Sequence, residues 1–167
     1  MIPAQFGYLR PASLDEALGA IAGGGDVKVI AGGQSLLPLL KMRLASAGTL
    51  VDIGRLSELR GVRPQADGGF ELGALTTYAD VLDSTQLQIA VEAISDIGDV
   101  QVRNRGTVGG AIAHADPASD LPALGLALDY SVVLRSRRGE RVVPLDGFLL
   151  GAFQTGIEPD ELLISIR

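Results

Sequence analysis

A short β-branched run, Val27 to Ile30, breaks off into Ala31-Gly-Gly-Gln-Ser35, and an apolar helical pattern begins at once, at about Leu36. A strand that turns into a helix through paired glycines constrains the fold strongly, because short alternating elements favour parallel strands joined by crossover helices. The flanking sequence repeats the theme. Phe6 to Leu9 reads as a strand, and Ser13-Leu-Asp-Glu16 is a capping box opening a helix with Leu14, Ala17, Leu18 and Ile21 on one face. That helix stops at Gly23-Gly-Gly25. The second helix carries Leu36, Leu39, Leu40 and Leu44 on one face and tolerates Pro38 in its first turn, and Thr49 to Ile53 is a further strand. Residues 1–55 are therefore expected to form a small parallel β-α-β lobe.

Beyond Gly54 the texture changes. Leu59 to Arg63 and Phe70 to Leu75 form an antiparallel hairpin around Ala66-Asp-Gly-Gly69. Thr77 caps a short helix reaching Leu82, and a longer one runs from about Thr85 to Ile97 with Leu87, Val91 and Ile94 on one face. Gly98 to Asp120 holds four glycines without a period and reads as the longest irregular segment, a place where function tends to sit. Ala118 to Leu128 reads as helix, Tyr130 to Arg135 and Glu140 to Val143 as a hairpin, and Leu162 to Ile166 as a strand. The expected architecture is α/β (α+β), with residues 56–167 forming a larger, mainly antiparallel lobe and a ligand crevice between the two.

Composition narrows the chemistry. The 167 residues contain no cysteine and one histidine, His114. That excludes disulfides, thiol nucleophiles, iron–sulfur clusters ligated by this chain and paired-histidine zinc sites. Redox activity in such a chain requires an organic cofactor. A net charge of −6 argues against nucleic-acid binding. No apolar run reaches the ~18 residues of a membrane span, and the N-terminus lacks a basic flank and apolar core, so a soluble, cytoplasmic protein is expected.

The usual nucleotide signatures are missing: there is no Gly-x-Gly-x-x-Gly, no Gly-Lys-[Ser/Thr] and no Gly-x-Ser-x-Gly. What remains is two glycine-rich loops. In the first, Gly32 and Gly33 let backbone N–H groups approach a diphosphate, while Ser35 serves either as a helix cap or as a phosphate donor. In the second, Thr107 supplies a hydroxyl, Gly109 and Gly110 allow close approach, and Arg103 and Arg105 add charge. Asp120 can accept hydrogen bonds from sugar hydroxyls, whereas Asp116 or Ser119 can simply cap the next helix. The bland readings are a tight turn and a capped loop. One such loop on each lobe points instead to a shared phosphate-bearing ligand. His114 reads as a loop residue rather than a catalyst. Arg135, Arg137, Arg138 and Arg141 make either a solvated hairpin tip or a docking face for an acidic partner.

Three segments carry a family resemblance: Phe6-Gly-Tyr-Leu-Arg-Pro-Ala-Ser-Leu-Asp-Glu-Ala17, Ala31-Gly-Gly-Gln-Ser-Leu-Leu-Pro38 with Lys41-Met-Arg43, and Arg103-Asn-Arg-Gly-Thr-Val-Gly-Gly110 with Ala115-Asp-Pro-Ala-Ser-Asp120. In them the chain resembles the FAD-binding medium subunit of molybdenum hydroxylases, the aerobic carbon monoxide dehydrogenase and xanthine dehydrogenase group. The resemblance implies a two-lobed FAD-binding domain of the vanillyl-alcohol oxidase type. It implies FAD contacts from Ile30, Ala31, Gly32, Gly33, Gln34, Ser35 and Leu36, from Thr107, Gly109, Gly110 and Ala111, and from Asp120 and Leu163. It assigns molybdopterin and [2Fe–2S] clusters to partner chains, a molybdenum large subunit and an iron–sulfur small subunit. Electrons then pass through a non-covalent FAD to NAD, a quinone or oxygen. No side chain is expected to act as a general acid or base. Ala111 stands where many relatives have Asn, one hydrogen bond fewer to the cofactor, worth about 1 kcal/mol. The C-terminal domain of the family is expected to be absent. The alternative is a non-catalytic lobe that serves only in subunit assembly.

Overall fold

The computed structural model describes residues 2–167; Met1, counted in the first lobe by the sequence reading, lies outside them. In the N-terminal part, β1 (Gly7–Leu9), α1 (Leu14–Ala22), β2 (Val27–Ile30), α2 (Leu36–Lys41) and β3 (Thr49–Asp52) follow one another. The strands form one sheet in the order β1-β3-β2, and both pairings are parallel. Ser13 caps α1 by accepting from the Glu16 N–H, but the return bond differs from a closed capping box: the Glu16 carboxylate accepts from Ala12 N–H at 2.7 Å. Helix α2 is shorter than its leucine spacing implies. Arg43 turns left-handed at φ 59°, Leu44 N–H reaches back to the Leu39 carbonyl, and Arg43 N–H to that of Leu40. This pair of bonds closes the helix, and Leu44 is left 71% exposed rather than on a buried face.

The second part begins with a 3-10 turn, Ser57–Leu59, so that the first hairpin strand, β4 (Val62–Pro64), starts later than expected, while β5 (Phe70–Gly73) starts at Phe70 as expected and ends two residues early. Then come α3 (Tyr78–Leu82), α4 (Gln88–Ser95), α5 (Val100–Arg103), α6 (Val108–His114) and α7 (Asp120–Ala127). The chain continues through β6 (Ser131–Ser136), β7 (Gly139–Pro144), α8 (Leu145–Phe148), β8 (Leu149–Gly151), β9 (Gln154–Thr155) and β10 (Leu162–Ile166). The main sheet runs β4-β5-β10-β6-β7 and is antiparallel throughout, with β10 in the middle.

Residues 98–120 are not irregular. Asp99 caps α5 through the Val102 N–H, Thr107 caps α6 through the Gly110 N–H, and Ala115 ends α6 in the left-handed conformation at φ 49°. Two of the glycines that suggested a loop lie inside α6, where they serve close packing rather than flexibility. α8 and the small β8–β9 hairpin were likewise not foreseen, being too short to show a period.

Strand β10 separates two apolar cores. Leu163 and Ile166 join Phe148, Ile112, Val132 and Leu134 on one side. Leu162 joins Leu18 and Ile21 of α1, Val51 of β3, and Leu56, Leu59 and Leu75 on the other. Leu163 and Ile166 reach the same core although three residues apart, because a bulge between Leu163 and Ser165 resets the alternation. The second core thus joins the parallel sheet to the antiparallel one, and it fixes the ends of β2, β5 and β10 around a crevice. Among the described residues, no helix is long and apolar enough to cross a membrane.

Candidate functional site

A cavity of about 580 Å³ runs along this crevice, within the range of ~300–1,000 Å³ usual for small-molecule sites. One wall is the turn from β2 to α2. Among the described residues, no protein acceptor pairs with the backbone N–H groups of Gly32, Gly33, Gln34, Ser35 and Leu36. Gly33 holds φ at +76°, a conformation that bends successive N–H groups toward a common point. Ser35 makes no capping bond to α2, so its hydroxyl is available to a ligand.

The opposite wall is α6, and it works differently. Its N–H groups are already committed: Val108 to Thr76 O, Gly109 to Ala74 O, Gly110 to Thr107 Oγ1 and Ala111 to Thr107 O. The second glycine loop therefore offers shape and the Thr107 hydroxyl, not backbone donors. Close packing explains Gly109, and the Thr107 cap, 2.6 Å from a Cβ added at Gly110, explains Gly110. A methyl group on Gly109 would lie 2.5 Å from Ala74 Cβ and 2.7 Å from Ala74 Cα, so the glycine lets α6 sit on the end of β5. Gly110 faces Ala31 across the crevice, at 3.9 Å for an added Cβ.

All the residues that the family resemblance selects line the cavity except Asp120. Asp120 sits exposed at the first position of α7, while Asp116 and Ser119, assigned to capping, line the wall. Asp120 is still close enough to act electrostatically on Tyr78. Tyr78 was missed as a wall residue: it follows the Thr77 cap in a helix too short to show a period, and it is 6% exposed. Burial, reinforced by the Asp120 carboxylate, pushes its phenol up to about 12. His114 ends α6 and packs edge-tilted against Phe153, ring centroids 5.2 Å apart, so both rings form part of the wall. Glu161 also lines the cavity. The residue is 6% exposed, and its carboxylate takes two bonds from Arg141, at 2.7 and 2.6 Å, and one from Glu158 N–H. The Arg141 guanidinium holds the Glu161 carboxyl below the usual range.

The hairpin arginines Arg137, Arg138 and Arg141 are exposed, as a solvated tip requires, but most of their charge is not free for an acidic partner. Arg138 pairs with Glu158 and Asp160, Arg135 with Glu140 and Arg141 with Glu161, so three of the four guanidiniums are neutralised within the chain. Among the described residues, no cluster of three or more metal-ligating side chains occurs.

A parallel β-α-β unit and an antiparallel sheet facing each other across a crevice, with a nest of free N–H groups on one side, define a two-lobed FAD-binding domain. The chain belongs to the family described as the FAD binding domain in molybdopterin dehydrogenase, whose model matches residues 4–167. It is 44% identical to the carbon monoxide dehydrogenase medium chain of Hydrogenophaga pseudoflava and 42% identical to the glyceraldehyde dehydrogenase medium chain of Sulfolobus acidocaldarius, in each case over the whole of this chain and 60% of the relative. The reconstituted CO dehydrogenase from Oligotropha carboxidovorans superimposes on it with a TM-score of 0.97 at 38% identity, covering all of this chain and 60% of that one. The chain spans about 60% of the length of these relatives. The residues present fit the cofactor: a cradle of unpaired N–H groups suits a diphosphate, and the long crevice with apolar stretches at Ile157 and Leu163 suits a ring system.

Proposed function

We propose that this chain holds FAD as an electron carrier within a molybdenum hydroxylase, receiving electrons from [2Fe–2S] clusters on an iron–sulfur small subunit that serves a molybdenum large subunit. The observation that carries this reading is the run of five unpaired N–H groups from Gly32 to Leu36 at the edge of a cavity large enough for a dinucleotide. In this reading the Gly32–Leu36 turn binds the diphosphate, with the Ser35 and Thr107 hydroxyls as further donors. Ile30, Ala31, Gly109, Gly110 and Ala111 form the close walls on either side of it. Leu163 supplies an apolar surface for the ring, and Asp120 reaches the cofactor from the first turn of α7. The division of labour falls at residues 55 and 56, the first lobe gripping phosphate and the second shaping the ring site.

FAD supplies reversible electron acceptance at its ring system, a chemistry that no side chain of this chain provides. The chain contributes orientation, backbone donors and a crevice that limits water. It needs no general acid or base of its own. The attachment is non-covalent: His114, the one histidine, packs on Phe153, and cysteine is absent. Molybdopterin and the iron–sulfur clusters reside on the partner subunits, and the assembly is cytoplasmic.

The test is reconstitution of the chain with FAD, followed by anaerobic reduction and reoxidation, with co-expression of the neighbouring subunits. The reading expects one FAD per chain, reversible bleaching of its visible bands, and metal-containing partners retained on purification. A chain that takes up FAD but neither cycles it nor retains such partners would contradict the electron-transfer reading.

A further inference from the structure

Bordering the seam between the two glycine loops lies a second, polar cleft of about 280 Å³. It shares Ala31, Gly32, Leu75 and Thr107 with the larger cavity, so the two are adjacent. Four arginines line it, Arg10, Arg55, Arg60 and Arg105, and Asp52 is the one carboxylate in its wall among the described residues. In a chain of net charge −6 this is a local reversal of sign.

The four guanidiniums are not equivalent. Arg10 Nε donates to the Tyr8 hydroxyl at 3.1 Å and lies 3.6 Å from Asp52, whose carboxylate also accepts from Tyr8 and from the Gly54 N–H. Arg60 donates to the Gly54 carbonyl at 3.1 Å and stands 3.8 Å from Asp80. These two are fixed in place by the protein. Arg55 and Arg105 are exposed and, among the described residues, have no carboxylate within ion-pair distance. Two positioned and two unneutralised guanidiniums around one concave space form a receptor for a compact, multiply charged anion, since planar guanidinium forks match phosphoryl oxygens in pairs.

We propose that this arginine cleft is a second anion site, taking a phosphoryl group of a ligand other than the bound FAD. The proposal does not depend on electron transfer by the flavin, only on the cleft and its charge. Because Gly32 and Thr107 belong to both walls, occupation of the cleft would also brace the seam that borders the FAD crevice.

The probe is inorganic pyrophosphate, titrated calorimetrically into the FAD-saturated chain at low ionic strength. The expected result is saturable one-to-one binding that weakens at least about tenfold in Arg55→Gln and again in Arg55→Gln/Arg105→Gln. Neither side chain has an ion pair to lose, and circular dichroism with bound-FAD absorbance confirms that each variant is folded. Binding that is absent, or equal in wild type and double variant, would overturn the proposal. Binding seen in the FAD-free chain but abolished by FAD would also overturn it, because the cleft would then hold part of the cofactor itself.

Discussion

Gly32 lies directly against the backbone of Arg105. A methyl group built on it would come 2.8 Å from the Arg105 carbonyl carbon and 3.1 Å from Gly106 Cα, and closer still to the Arg105 oxygen. The first glycine loop therefore touches the second one through bare backbone, and this contact sets the width of the crevice. Gly32→Ala must push the two loops apart. The expected cost is about 1–3 kcal/mol of stability, as for other overpacked sites, with loss of most bound FAD. Thermal unfolding and FAD content per chain check it; a variant with wild-type FAD content would mean that the seam does not set the site.

Gly109 makes the corresponding contact within the second lobe, between α6 and Ala74. Gly109→Ala should destabilise by a similar amount, about 1–3 kcal/mol. Ala74→Gly should rescue it only in part, because an added Cβ would still lie 2.7 Å from the Ala74 Cα and 2.8 Å from its carbonyl oxygen. A double-variant cycle in denaturant measures the coupling.

These two glycines show what the sequence made legible. Paired glycines after a β-branched run marked the β2–α2 turn correctly, since conformational freedom and phosphate approach are local properties. The same composition in 98–120 misled, because Gly109 and Gly110 lie within a helix, and the need for glycine at Gly109 is set by Ala74, more than thirty residues away. Tyr78, Glu161 and the hairpin arginines depend on such distant partners too. Arg141 meets Glu161 across 20 residues, and no local pattern could show that. Asp120 is the reverse case: its sequence context selects it, yet it lies outside the cavity wall, near Tyr78.

Thr107 caps α6 by accepting from the Gly110 N–H at 3.2 Å. Thr107→Val should cost about 0.5–2 kcal/mol through loss of that cap, while Thr107→Ser keeps the oxygen and should stay close to wild type. Under the proposed role, the valine variant also loses FAD affinity. Parallel unfolding curves and FAD titrations of the two variants separate these effects.

Glu161 supplies acid sensitivity. Its carboxyl is held down in the fold by Arg141, so its contribution is complete above the unfolded value of about 4.3 and is lost as pH falls through the lower, folded value. Between pH 5 and pH 3 the melting temperature of the wild type should fall more steeply than that of Glu161→Gln. At pH 7, Arg141→Met should cost about 1–3 kcal/mol by leaving a buried carboxylate short of its donors.

Tyr78 acts at the alkaline end. Its phenol is raised to about 12, so the neutral form is favoured by folding; the contribution is complete below the unfolded value of about 10 and is lost as pH rises through 12. Absorbance titration of the folded chain near 295 nm should show a tyrosinate step close to pH 12 that loses amplitude in Tyr78→Phe, leaving the contribution of Tyr130, whose phenol burial also raises.

In the proposed function the Gly32–Leu36 turn grips the diphosphate of FAD. Amide resonances of an isotopically labelled chain, followed during FAD addition, test it most directly. Large shifts and slowed solvent exchange are expected at Gly32, Gly33, Gln34, Ser35 and Leu36, with smaller changes along α6, whose N–H groups are already bonded within the protein. FAD binding that leaves those five amides unmoved would contradict it.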